Sequence, residues 1–198
     1  MRLLIALLTL LSSPLLWAAS PSFECRDIGN NVEAALCLDD DLAALDRKMA
    51  NVYDSASRSM AADDQQAEQS AQDAWIRSRN SCGDVPDIGR CITASYDARI
   101  TELQIKGGLV TKPAPVVFDC GKAGVVTAYF YDDTQEPAAV LNVGESLQDT
   151  AISQPTWSGA KYRGKKVTFW RKGDSAQLIR AGQPDASCTK QKTKAPAD

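Results

Sequence analysis

No histidine occurs anywhere in the 198 residues. That absence excludes Ser-His-Asp and Cys-His catalysis, histidine-ligated zinc and any pH switch built on an imidazole. No groove-reading nucleic-acid motif is present either, and the formal net charge is −3, so nucleic acid is not an expected partner. No acidic pair stands out from the charge pattern, which leaves a carboxylate-based hydrolase without a candidate site. Cys82 and Cys91 stand nine residues apart with no second metal-binding motif, so neither a metal nor a cofactor is expected. What remains is a chain with 44% hydrophobic and 24% charged residues, a balance that suits a globular protein and argues against disorder or multiple membrane spans.

The chain opens with Met1-Arg2, an apolar run from Leu3 to Leu11, Ser12-Ser13-Pro14, and then Leu15-Leu16-Trp17-Ala18-Ala19. A basic end, a short apolar core and a small-residue exit predict a secretory signal peptide over 1–19. Ser22-Phe23-Glu24 before Cys25 is not the small-residue box of a lipid-modified cysteine, so an unanchored, exported (periplasmic or secreted) product is expected. All six cysteines lie beyond this segment, and an even number in an oxidising compartment predicts three disulfides. Six cysteines allow fifteen pairings. Spacing favours two short loops, Cys25 with Cys37 and Cys82 with Cys91, and one long tie from Cys120 to Cys188.

The apolar period changes midway. Leu42, Leu45, Met49, Val52, Tyr53, Ala56 and Met60 recur at steps of three and four, as on one helical stripe. Asn30 or Asn31 can cap a short helix through Leu36, and Asp39 to Asp41 can start the next. Further helices are expected from Asp64 to Arg79 and from Ile88 to Ile105. Gly107-Gly108 and Lys112-Pro113-Ala114-Pro115 then read as a linker over 108–115.

Beyond it Val125 to Tyr131 alternates with period two. Other strands are expected at Val116 to Cys120, Ala138 to Val143, Ser146 to Ile152, Lys166 to Arg171 and Ser175 to Arg180. Short strands separated by glycine and aspartate turns predict a small antiparallel barrel over 116–190, followed by a disordered polar tail over 191–198. The fold class expected is therefore two domains, all-α over 20–107 and all-β after the linker. Residues 21–107 carry 16 acidic and 9 basic side chains, a net of −7; residues 108–198 carry 9 and 12, a net of +3. Lys161, Arg163, Lys165, Lys166, Arg171 and Lys172 crowd one stretch, which reads either as the solvated outer faces of two adjacent strands or as an edge facing an acidic partner.

Ser158-Gly159-Ala160-Lys161-Tyr162, followed after a strand by Phe169-Trp170-Arg171-Lys172-Gly173, resembles the MliC family of c-type lysozyme inhibitors over roughly 75 residues. Cys120 and Cys188 at the two ends fit the same family. The first half resembles the LprI-type lysozyme-inhibitor N-terminal domain over about 80 residues. The matching residues are Ala35-Leu36-Cys37, Leu42-Ala43-Ala44-Leu45-Asp46, Tyr53, Trp75, Arg79, Cys82, Cys91, Tyr96, Arg99 and Ile100. In that half Trp75 is expected as core, with an interhelical ion pair between Asp46 and Arg79 or Arg99.

The resemblance implies an eight-stranded barrel that inhibits c-type lysozyme, not an enzyme, with Ser158 and Lys172 entering the cleft. Gly159, Lys161, Tyr162 and Gly173 would complete the lysozyme-binding set, Tyr162 packing beside Ser158. Trp157 stands where the family more usually has a small residue, and Pro155 and Thr156 stiffen the same loop, so the preference among lysozymes is expected to differ. The competing reading is an envelope adaptor or chaperone-like module whose helical half binds another exported protein.

Overall fold

The computed structural model describes residues 20–192. The expected signal peptide and residues 193–198 of the expected tail lie outside the described residues. Four helices come first: α1 (Asn31–Leu38), α2 (Asp40–Ser59), α3 (Ala62–Asn80) and α4 (Ile88–Lys106).

The starts of α1, α2 and α4 each have a local cause. The Asn30 side chain accepts from the Val32 and Glu33 amides at 3.0 and 3.1 Å, so Asn30 caps α1. Asp39 closes α1 through its own amide, and its carboxylate accepts from Asp41 N and Leu42 N at 2.9 and 3.0 Å to open α2. Asp40 and Asp41 then place negative charge in the first turn of α2, where the helix dipole favours it. Asp87 caps α4 through Arg90 N at 3.1 Å.

The predicted stripe on α2 faces inward. Leu42, Met49 and Ala56 are buried, with Leu45, Val52, Tyr53 and Met60 partly buried against the same cluster. From α4 come Ile92, Tyr96, Ile100 and Leu103, all fully buried. Trp75 packs edge-on to Tyr96 with ring centroids 5.0 Å apart.

The expected ion pair of Asp46 with Arg79 or Arg99 does not form. Arg79 Nη1 donates to the Tyr96 hydroxyl at 2.7 Å, and that hydroxyl donates to Asp46 Oδ1 at 2.6 Å. A neutral phenol thus relays between the two charges, satisfying each while keeping them apart. Burial and the Asp46 hydrogen bond both hold the Tyr96 phenol in its protonated form, against the opposing charge of Arg79. Ser22 completes Asp46 from the chain's N-terminal side, with its amide at 2.7 Å and its hydroxyl at 2.5 Å from Oδ2. Arg99 instead pairs with Glu68 and Glu102, and Lys106 bonds to the same two carboxylates at 3.3 and 2.9 Å.

Eight antiparallel strands follow: β1 (Val116–Asp119), β2 (Val125–Tyr131), β3 (Ala138–Val143), β4 (Leu147–Gln154), β5 (Ala160–Arg163), β6 (Val167–Lys172), β7 (Ser175–Arg180) and β8 (Ala186–Lys190). Each pairs with the next, and β1 pairs with β8 to close the barrel. A barrel of this size has an interior that side chains alone can fill. Phe118, Leu141, Phe169 and Leu178 do so, with Phe118 and Phe169 edge-on at 5.1 Å.

Three disulfides form, Cys25–Cys37, Cys82–Cys91 and Cys120–Cys188. The last joins the end of β1 to β8 inside the barrel core. The two halves meet along α4. Thr101 Oγ1 accepts from Glu136 N at 3.0 Å, Gln104 Oε1 from Gln135 N at 2.7 Å, and Asp97 Oδ1 from Gln135 Nε2 at 2.8 Å, all in the β2–β3 loop.

Candidate functional site

The β4–β5 loop (155–159) and the β6–β7 turn emerge at the same end of the barrel. Their neighbourhood follows from the β5–β6 register, in which Ala160 faces Arg171, Lys161 faces Trp170 and Tyr162 faces Phe169. Pairing at Ala160 sets the residues just before it, Ser158 and Gly159, beside the last residues of β6.

Gly159 makes the contact possible. Its φ is +72°, and a Cβ there would fall on the carbonyl oxygen of Arg171 and lie 2.7 Å from Lys172 Cγ. Only glycine accepts both the backbone conformation and the approach. The loop is then tied from both sides, since the Ser158 carbonyl accepts from Trp170 Nε1 at 2.9 Å and from Thr156 Oγ1 at 3.3 Å.

Gly173, with φ +58°, follows Lys172 in a two-residue turn that pairs Lys172 with Ser175. Glycine with positive φ at the first central position is what a tight hairpin of the II′ kind requires. Lys172 therefore ends its strand exposed, and its Nζ lies 4.2 Å from the centroid of the Trp170 ring. Lys161, across the strand from Trp170, places its own Nζ 5.6 Å from the same ring. Two ammonium groups thus approach one indole ring, which attracts each of them. A hollow of about 170 Å³ opens beside them, bordered by Trp170, Lys172, Ser175 and Gln177.

Four of the six residues expected to bind a partner, Ser158, Gly159, Lys172 and Gly173, are exposed at this end, and Lys161 is half-buried beside them. Tyr162 is placed differently from the expected packing against Ser158. It is 4% exposed and sits in the barrel interior, its ring 5.3 Å from that of Phe130. Strand alternation explains this: Lys161 and Tyr162 are neighbours on β5 and must face opposite sides.

The basic stretch also divides. Lys161 and Lys172 flank Trp170, whereas Lys165 and Lys166 form the β5–β6 turn at the other end of β6, roughly 17 Å away at 3.3 Å per residue. Asp149 fixes that turn by accepting from the amides of Lys165, Lys166 and Val167 at 3.3, 2.7 and 2.9 Å. Arg163, Lys165 and Lys166 line a cleft of about 560 Å³ against Arg99, Glu102 and Lys106 of α4. They are therefore not one edge with Lys172.

No role for Trp170 follows from the motif alone. Its signal was available in the alternation Thr168, Trp170, Lys172, which puts indole and lysine on one face of a strand.

Two family models match the chain. Residues 118–187 match MliC, the membrane-bound lysozyme-inhibitor of c-type lysozyme, and residues 25–103 match the lysozyme inhibitor LprI. Lipoprotein LprI of Mycobacterium tuberculosis and lipoprotein LprI of Mycobacterium bovis are each 26% identical over 161 residues, covering 81% of this chain and 80% of theirs. No solved structure matches. The chain thus matches two lysozyme-inhibitor family models in tandem, LprI over its helical half and MliC over its barrel.

Proposed function

We propose that this protein is an exported, non-enzymatic inhibitor of c-type lysozyme that offers Lys172 and Ser158 to the enzyme's catalytic cleft. One observation carries the reading. The Ser158 loop and the Lys172 hairpin are packed into a single exposed tip through Gly159, whose missing side chain lets them touch.

The chemistry that such a tip meets is known in kind. A glycosidase of this type flanks the scissile bond with two carboxyl groups and passes through a transition state resembling an oxocarbenium ion. An ammonium held between those groups supplies the positive charge that the sugar would develop, with no bond to cleave. Lys172 has the reach and the position. Its stacking on Trp170 limits the rotamers it must lose on binding, which lowers the entropic cost of association. Ser158 offers a hydroxyl that donates to a carboxylate, from a loop already tied to Trp170 and Thr156. Lys161 adds a second cation beside the first. Tyr162 acts from inside, as a prop for β5.

The three disulfides suit an oxidising compartment outside the cytosol. No helix among the described residues is long and apolar enough to cross a membrane. The test is a titration of the purified protein into a c-type lysozyme digesting cell walls. Turnover should fall to a floor near one equivalent; undiminished turnover at a large excess of protein would overturn the proposal.

A further inference from the structure

Trp157 is 106% exposed, more than any other large apolar side chain among the described residues. An indole left wholly in water is an anomaly here, since every other aromatic ring among the described residues is buried in part or in full. Its setting is not that of a loose loop. Pro155 restricts the backbone two residues before it, Thr156 bonds across it to the Ser158 carbonyl, and Trp170 holds that carbonyl from the barrel side. The base of the loop is fixed and the ring projects from it into solvent, next in sequence to Ser158, whose carbonyl Trp170 holds.

We infer that Trp157 is the aromatic anchor of the inhibitory surface, laid against a sugar-ring subsite of the lysozyme cleft beside the catalytic carboxyl groups. The inference rests on the proposed function and extends it to a residue that sets which lysozymes are bound. A cleft shaped for pyranose rings presents flat apolar faces edged by hydrogen-bonding groups. An indole is flat and apolar, with one N–H at its edge, and matches that surface as a sugar ring does. Charge complementarity fixes the orientation. With the ammonium of Lys172 at the carboxyl groups, the adjoining loop has to lie over the subsites that flank them.

With a rigid ring on only two side-chain torsions, Trp157 has little freedom to lose on docking, and large aromatics are the residues that most often dominate an interface. A lysozyme whose flanking subsite is narrowed would then be rejected by the same ring.

The experiment compares inhibition constants of the full chain, Trp157→Ala, Trp157→Phe and Lys172→Ala against hen-type lysozyme, with dissociation rates from surface-captured enzyme. Because Trp157 touches no core residue, thermal unfolding of Trp157→Ala should match the parent, and this control separates a binding defect from a folding one. We expect Trp157→Ala to weaken inhibition about 30-fold, which at 1.4 kcal/mol per tenfold is about 2 kcal/mol. The loss should appear in the dissociation rate, and Trp157→Phe should recover most of it. A loss below fivefold, or an equal loss in both Trp157 variants, would overturn the anchor. If the parent inhibits and Lys172→Ala does not, such a result sinks the anchor alone. A parent that fails to inhibit sinks the proposed function and the anchor with it.

Discussion

Single atoms decide most at Gly159. A methyl group there has to displace the Arg171 carbonyl or Lys172 Cγ, and the backbone has to hold a left-handed φ. Gly159→Ala should therefore cost about 1–3 kcal/mol of stability and separate the two loops. Thermal unfolding would show the first effect and weaker lysozyme inhibition the second. Glu102 offers a pH prediction. Burial alone would raise its carboxyl, but the hydrogen bond and charge of Lys106, with the charge of Arg99, hold it below its ordinary value of 4.5. A depressed carboxyl binds fewer protons in the folded than in the unfolded state. Its contribution is present above the ordinary value and is lost as pH falls through the folded one. Unfolding midpoints measured from pH 6 to pH 2 should fall more steeply for the parent than for Glu102→Gln.

Among elements, the helices and the long strands were readable in advance because their patterns are repeated. The α2 stripe repeats for five turns, and the expected Val125–Tyr131, Ala138–Val143 and Ser175–Arg180 strands match β2, β3 and β7 residue for residue. β5 and β8 escaped pattern reading. Four and five residues long, with small or charged members, they owe their strand conformation to neighbours that close the barrel rather than to their own alternation. The site was legible only in part for the same reason. Ser158 and Lys172 carried a recognisable motif, whereas the inward turn of Tyr162, the Trp170 platform and the split of the basic stretch depend on register. The disulfides give this scale its prediction. Cys120 and Cys188 close a span of 68 residues and Cys82 and Cys91 a span of 9. In the chain-entropy model these are worth about 4 and about 3 kcal/mol respectively. Replacing both members of a pair by serine should lower stability more for the barrel pair in urea unfolding.

Across the whole molecule, α4 binds the helical half to the β2–β3 loop, so an acidic body travels with a basic barrel. Under the proposed function, the net of −7 over 21–107 would draw a cationic enzyme toward the inhibitor at long range. The Lys172 tip would then decide how firmly it is held. Removing an interfacial cation leaves its carboxylate partners desolvated and unpaired, a cost of about 2–5 kcal/mol. The most direct measurement is the inhibition constant of Lys172→Ala beside the parent and Lys165→Ala, all against one c-type lysozyme. Lys172→Ala should lose at least about 30-fold in inhibition at 1.4 kcal/mol per tenfold, with Lys165→Ala close to the parent. A Lys172→Ala protein that inhibits within twofold of the parent would contradict the proposed function.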